Sequence, residues 1–357
     1  MERIDLKTYG LTAAVAKEAA KYTGLSLARV TEQHRDSYKI MGESGEKAAA
    51  VSGKFIYQAG AMTDFPAVGD WVMVDAGDGG EKAVIHQVLP RKSVFTRKAP
   101  GSAGGVQIVA ANIDVIFICM SLKDDFNLRR LERYLTVAWD SGAKPMVVLT
   151  KADLCEDAAQ MAAKAATVAI GAEIMVCSGV AAAGAKAVRE SLRSGETVAF
   201  IGSSGVGKST LINCLLGEDR LRVNAIREGD GKGRHTTTHR QLLLLPTGSI
   251  VIDTPGMREL QLNTADLSRS FEDIETLAAQ CKFRDCSHRQ EPGCAVQAAV
   301  DRGELQPKRL ENYRKLQREL DYEGLDSRRL EEAKINAMFG SKGEMKQMMR
   351  QIKGKKK

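Results

Sequence analysis

The run Gly202-Ser203-Ser204-Gly205-Val206-Gly207-Lys208-Ser209 follows an apolar strand-like segment, Val198-Ala199-Phe200-Ile201, and opens a helical pattern from Lys208 to Leu216. A strand, a glycine-rich turn and a helix in that order let backbone N–H groups turn inward around phosphates, while the helix N-terminus favours their negative charge. This commits the region to an α/β nucleotide-binding sheet. Lys208 is placed to meet β- and γ-phosphates, the Ser209 hydroxyl to ligate Mg2+, and Thr210 follows in the first turn of the helix.

The second constraint is order. Thr150-Lys151-Ala152-Asp153, at the end of the strand-like Met146–Leu149, lies some fifty residues upstream of the phosphate loop. It has the pattern of a guanine-reading loop: Asp153 accepts from the N1–H and exocyclic amine that guanine has and adenine lacks, and Lys151 packs over the base. Thr150 stands where Asn is usual. Cys177-Ser178-Gly179, at the end of the next strand, is placed to offer a backbone N–H to the guanine O6. Asp253-Thr254-Pro255-Gly256 follows the strand Ile250–Ile252, where a nucleotide hydrolase directs an Asp toward Mg2+ and a Gly N–H (Gly256) toward the γ-phosphate. Between them, Gly229-Asp230-Gly231-Lys232-Gly233-Arg234-His235-Thr236-Thr237-Thr238 reads as a switch loop in which Thr237, or Thr236, completes the Mg2+ shell; a merely flexible loop is the plainer reading.

A conventional GTPase carries its phosphate loop first and its base-reading loop late. Cutting a parallel sheet at a different loop leaves each ligand-binding loop where it was in space, so the inverted order is compatible with one whole site. It also leads the Asp253 segment directly into the C-terminal region. A phosphate-loop kinase or ATPase with a chance Thr-Lys-Ala-Asp is the competing class, and a nucleotide-gated RNA-binding module is a second; base preference separates the first from a GTPase.

Around this core the texture changes. Residues 1–24 read as a helical extension. Residues 25–97 carry five short strands, Leu27–Val30, Tyr38–Met41, Ala48–Ile56, Asp70–Val74 and Ala83–Val88, which suggest a small barrel, either an oligonucleotide-binding (OB) barrel or an SH3-like one. Residues 98–105 read as a linker. Residues 106–270 alternate apolar strands with helices at Leu128–Asp140, Asp157–Ile170, Ala185–Leu192 and Lys208–Leu216. Residues 271–335 read as a helical unit with Leu310, Tyr313, Leu316 and Leu320 on one helical face, and 336–357 as a basic tail.

The net charge of +7 is concentrated: Ser341–Lys357 holds seven Lys and Arg against Glu344 alone. Such a tail is suited to phosphates of a nucleic acid, though a solvated end is the plainer reading. No apolar run has the length of a membrane span and no signal-peptide pattern opens the chain, so a cytoplasmic protein without a membrane partner is expected, and a monomer. Of seven cysteines, Cys281, Cys286 and Cys294 cluster around His288, three thiolates and an imidazole suited to a closed, structural Zn2+ site.

These motifs together, with Val68-Gly69-Asp70-Trp71-Val72, Ala110-Ala111-Asn112-Ile113-Asp114 and Arg258-Glu259-Leu260, resemble the ribosome small-subunit-dependent GTPase A family (RsgA, also called YjeQ). The resemblance implies an N-terminal OB barrel, a circularly permuted GTPase domain and a C-terminal zinc domain. It also implies late assembly of the small (30S) ribosomal subunit, with contacts to its 16S rRNA and use of GTP. The position of the water-orienting Gln of Ras-like enzymes is Met257 here, and a thioether cannot orient water. Unaided turnover is therefore expected to be slow, with a partner completing the site. The family implies that His235 takes part in the stimulated reaction.

Overall fold

The computed structural model describes residues 3–34, 37–77, 82–98, 106–123, 125–178, 185–221, 240–253 and 266–321. A one-turn helix at Leu6–Tyr9 precedes α1 (Ala13–Ala19), which starts where the Thr12 side chain accepts from the Val15 N–H. Leu6 and half-buried Tyr9, Leu11 and Val15 pack on Trp71, Met73 and Leu89, so the extension covers one outer face of the barrel.

The barrel is built from β1 (Ser26–Gln33), β2 (Tyr38–Gly42), β3 (Gly45–Val51), α2 (Gly53–Gln58), β4 (Trp71–Asp75) and β5 (Lys82–Val88). Pairing runs β1-β2-β3-β5-β4, and β4 returns to β1 to close the ring. The one parallel pair in the ring is β3 with β5, and α2 follows β3. This is the OB form of the two expected barrels. Alternate residues Ala28, Val30, Ile40, Val72, Val74, Ala83 and Ile85 fill it, as a small closed barrel requires. The strand expected over Ala48–Ile56 stops at Val51, because the Ser52 hydroxyl accepts from the Phe55 N–H and starts α2 instead.

Two strands were not anticipated. β6 (Val94–Lys98) and β7 (Val106–Ala111) pair antiparallel, so the stretch read as a linker joins the two arms of a hairpin. Gly69 lies beside β7 at φ +93°, where an added Cβ would come within 2.2 Å of the Ala111 carbonyl oxygen; only glycine allows this approach.

The remaining strands and helices are β8 (Val115–Ser121), α3 (Leu128–Asp140), β9 (Lys144–Thr150), α4 (Ala158–Ala166), β10 (Glu173–Val176), α5 (Lys186–Ser191), β11 (Thr197–Ile201), α6 (Lys208–Leu216), β12 (Arg240–Leu244), β13 (Ile250–Asp253), α7 (Glu272–Ala278), α8 (Ala295–Asp301) and α9 (Pro307–Asp321). The sheet runs β10-β9-β8-β11-β13-β12; the first five are parallel and β12 is antiparallel to β13. Every residue of β8 and β11 is buried, as expected of a parallel sheet covered on both faces. β12 also pairs with β1 of the barrel (Glu32 opposite Gln241, Gln33 opposite Arg240), so barrel and nucleotide sheet are one eleven-stranded sheet.

Arg29 pins the two together. Its side chain is 1% exposed and donates to the carbonyls of Gly69 (3.2 Å) and Tyr9 and to the Thr197 hydroxyl (2.9 Å), at the start of the strand that feeds the phosphate loop. Burial pulls its pKa down to about 10, and the guanidinium lies 5.4 Å from the Trp71 ring centroid. Arg29→Met takes the donor from the Tyr9 carbonyl and the Thr197 hydroxyl, while the Gly69 carbonyl keeps its bond from Asn112 Nδ2. It should lower stability by roughly 2–4 kcal/mol, seen as a lower urea midpoint at unchanged slope; an unchanged midpoint would remove Arg29 from the interface argument.

Candidate functional site: a nucleotide site and a cysteine cluster

The C-terminal ends of β8, β9, β10, β11 and β13 lie side by side, and each carries a sequence-predicted loop except β8. The phosphate loop leaves β11 at Gly202, whose φ of +142° and close approach to Cys119 (an added Cβ would lie 2.3 Å from its carbonyl oxygen) exclude other residues. Gly205 and Gly207 also have positive φ, turning the loop into α6. Lys208 Nζ donates to the carbonyls of Gly202 (2.8 Å) and Ser203 (2.7 Å), which holds the ammonium across the mouth of the loop. Ser204 and Gly205 are exposed, Val206 is buried, and Ser209 and Thr210 are half-buried in the first turn of α6.

Asp253 ends β13, which pairs directly with β11. Burial raises its carboxyl pKa, and the nearby Lys208 charge counters that rise. A serine hydroxyl and a carboxylate on adjacent elements are hard oxygen donors, the type Mg2+ takes alongside phosphate oxygens and water. Ser209 and Asp253 would hold the ion with the nucleotide. Thr254 to Gly256, Met257, His235 and Thr236–Thr238 lie outside the described residues, as do Gly179 and the basic tail.

The base-reading loop is turned at Lys151, a non-glycine residue at φ +58°, and a single helical turn follows over Ala152–Leu154. The Ala152 N–H donates to the Cys177 carbonyl (3.3 Å), and Ser178 Oγ donates to Asp153 Oδ1 (2.5 Å). The loops after β9 and β10 are thereby joined, with the exposed Asp153 carboxylate oriented by Ser178. Thr150 is buried, and its hydroxyl donates to the Val206 carbonyl (2.5 Å). The residue in place of the usual Asn therefore ties the base-reading loop to the phosphate loop. Burial pushes the Cys177 thiol up to about 11 and the Cys119 thiol up to about 12, so both are neutral core cysteines.

One contact had no signal in the motifs. Arg130 of α3 reaches the phosphate loop, donating to Ser203 Oγ. An arginine on an amphipathic helix is indistinguishable from a solvated one until the fold places it.

The cysteine cluster assembles as expected. Cys281, Cys286, His288 and Cys294 bring their ligand atoms within 4.8 Å of one another. Cys281 Sγ and Cys294 Sγ are 3.9 Å apart, and each is 3.6 Å from His288 Nδ1. A zinc tetrahedron with bonds near 2.3 Å to sulfur and 2.0–2.1 Å to nitrogen has edges of about 3.5–3.8 Å. The donors therefore fit zinc in both kind and spacing, with three sulfurs, one imidazole and no place left for water. His288 takes φ +57° to face the sulfurs, and Glu291 braces the turn by accepting from the N–H groups of Ser287, Arg289 and Gln290.

This unit is fastened to the nucleotide domain through α3. Arg309 of α9 donates to Glu132 Oε1 (2.6 Å), to both oxygens of Asp273 (2.7 Å each) and to the Ser270 carbonyl, and Asn312 donates to Glu132 Oε2. Arg133 and Glu319 form a bidentate pair (2.5 and 2.6 Å).

A parallel sheet whose base-reading loops precede its phosphate loop in the chain, yet meet it in space, defines a circularly permuted GTPase. The RsgA GTPase family model matches residues 88–263. The chain is 54% identical, over 97% of its own length and of the relative's, to small ribosomal subunit biogenesis GTPase RsgA 2 of Lactiplantibacillus plantarum. It is 46% identical to RsgA 1 of Oceanobacillus iheyensis over 83% of this chain and 85% of that one. The chain belongs to the RsgA family. YjeQ from Thermotoga maritima superposes with a TM-score of 0.62 at 27% identity, covering 85% of this chain and all of that one. YloQ, a circularly permuted GTPase, shares the fold with a TM-score of 0.59 at 22% identity, covering 84% of this chain and 96% of that one. An ABC transporter family model matches residues 185–349, a stretch whose recognisable element is the phosphate loop itself. Among the described residues no helix is long and apolar enough to cross a membrane.

Proposed function

We propose that this GTPase acts in the cytoplasm, as a monomer, in late assembly of the small (30S) ribosomal subunit. Its barrel, zinc domain and basic tail would engage 16S rRNA while GTP binding and hydrolysis time its stay. The observation that carries this reading is one chain joining a whole guanine-type site to an OB barrel and a Cys3His cluster. Its 54% identical relative is named for small-subunit biogenesis. The working parts are the extension 1–24, barrel 25–97, linker 98–105, nucleotide domain 106–270, zinc domain 271–335 and tail 336–357.

In this reading Thr150, Lys151, Ala152, Asp153, Cys177, Ser178 and Gly179 surround the base. Gly202 to Thr210 hold the phosphates. Ser209, Asp253 and Thr237 or Thr236 hold Mg2+, Gly256 meets the γ-phosphate, and His235 acts in the stimulated step. Zinc, one per chain, is structural. Because Met257 cannot orient water, the protein alone should turn over slowly, on the order of 10⁻⁴–10⁻² s⁻¹. Purified small subunits should raise GTP turnover by at least tenfold, and large subunits should not. Equal turnover with either subunit, under conditions where GTP binds, would overturn the assignment.

A further inference from the structure

Beside the phosphate loop lies a cluster of which only Ser203 belongs to a nucleotide-binding motif. Asn127 caps α3 by accepting from the Arg130 N–H (3.1 Å), which fixes Arg130 in the first turn facing β11. From there one nitrogen, Nη1, donates both to Asp125 Oδ1 (2.6 Å) and to Ser203 Oγ (2.5 Å), while Nη2 donates to the Asp125 carbonyl (3.4 Å). The Tyr134 hydroxyl, one turn further along α3, lies beside the same Arg130, Asp125 and Ser203, and burial raises its pKa. Asp125 Oδ2 is buried and makes no hydrogen bond among the described residues, while Tyr134 Oη is close to the Ser203 hydroxyl. Buried polar atoms without partners are uncommon, and they concentrate where function rather than stability sets the arrangement.

Ser203 is held from two sides. Arg130 grips its hydroxyl, and its carbonyl accepts from Lys208 Nζ at 2.7 Å. The position of the lysine that meets the β- and γ-phosphates thus depends on a loop residue anchored by α3. The same helix carries Glu132 and Arg133, the residues that α9 grips through Arg309, Asn312 and Glu319.

We propose that Arg130 is a positioning residue for GTP hydrolysis: braced by Asp125, it holds Ser203 and so sets the place of Lys208 against the phosphates. Its guanidinium contacts are to Asp125 and to Ser203 of the loop. Lys208 contacts matter most where charge develops on the transferred phosphoryl group, so misplacing the ammonium costs turnover more than ground-state binding. This inference rests on GTP hydrolysis at this loop, and wild-type turnover in the same assay tests that reading separately.

The experiment compares Arg130→Met, Arg130→Lys, Ser203→Ala, the Arg130→Met/Ser203→Ala double variant and Arg129→Met by single-turnover GTP hydrolysis and by GTP and GDP affinity. Arg130→Met should slow hydrolysis about tenfold while GDP affinity changes less than about threefold. Arg130→Lys should restore part of the rate, because an ammonium keeps a charged donor beside Asp125 and Ser203 although it is one bond shorter and lacks the second nitrogen that reaches the Asp125 carbonyl. Ser203→Ala should match Arg130→Met, and the double variant should be no slower than either. Arg129, an exposed neighbour of Arg130 on α3 that pairs with Glu311 of α9, should be replaceable without effect. Unchanged hydrolysis in Arg130→Met, multiplicative losses in the double variant, or an equal loss in Arg129→Met would each overturn the proposal. If Arg130→Met does not fold, the Ser203→Ala and Arg130→Lys pair still decides it.

Discussion

Asp153→Asn should lower GTP affinity by about 10²–10³-fold, leave ATP binding as weak as before, and confer binding of xanthosine triphosphate. As a base-reading carboxylate Asp153 would accept two hydrogen bonds from guanine, and a hydrogen bond to a charged group contributes about 1.5–3 kcal/mol. Losing roughly 3–4 kcal/mol across both corresponds to the stated range. An asparagine turns an N–H toward the exocyclic amine of guanine, two donors facing each other, whereas xanthine carries an oxygen there and accepts. Ser178 orients the Asp153 carboxylate through Oδ1 and is able to hold the side-chain amide oxygen of the variant in the same way, so the loop should keep its shape. Competition binding with GTP, ATP and xanthosine triphosphate reads all three effects at once. A variant that still prefers GTP would show that Asp153 does not read the base, and would reopen the ATPase alternative.

Removing zinc should unfold the C-terminal unit and leave the nucleotide sheet standing. Structural zinc contributes about 10–16 kcal/mol of apparent binding free energy, coupled to folding of its site. Here the four ligands tie the loop between α7 and α8 to the start of α8, in a module of three helices whose buried residues, among them Phe271, Ile274, Val296, Leu310 and Leu316, belong to the same core cluster as those of α3. Cys294 has a second role, since its Sγ accepts from the Gln297 N–H and caps α8, so Cys294→Ser is a milder lesion than Cys294→Ala. Treatment with a strong chelator should release one zinc per chain, reduce far-ultraviolet helical signal and abolish the first of two thermal transitions. Guanine nucleotide affinity should fall by less than about tenfold, because no zinc ligand touches the site. A fully demetallated protein with an unchanged melting profile would contradict a structural zinc.

The parts legible beforehand were those with short-range causes. The helix over Leu128–Asp140 was read to the residue, because an Asn127 cap marks its start locally, and the apolar run Val198–Ile201 lies within β11. Helix α6 was read as accurately, between Lys208 and the left-handed Gly217. The Cys281, Cys286, His288 and Cys294 cluster, whose donors fit zinc, was legible from residue type and proximity in the chain. What escaped were features decided by distant partners. The β6–β7 hairpin has no strong alternation of its own and forms because the chain re-pairs across residues 99–105. Helix α4 stops at Ala166, four residues short of the expected Ile170, since the next residues turn at Gly171 toward β10. Thr150 looked like a loss relative to Asn, and only its Val206 contact shows what the hydroxyl does. Arg130 and Arg29 gave no sign at all, because an arginine's role depends on what surrounds the guanidinium after folding.

The pairing of β1 with β12 has a mechanical meaning. β12 begins at Arg240, two residues past the last threonine of the switch loop, and its main chain is hydrogen-bonded to the barrel at Glu32 and Gln33. A hinge between barrel and nucleotide sheet would have to break that ladder and unseat Arg29 together, so the barrel is a fixed handle rather than a swinging arm. Whatever grips the handle therefore also holds β12, and through its antiparallel ladder with β13 the strand that ends at Asp253, as a clamp on one slat of a blind fixes the slat beside it.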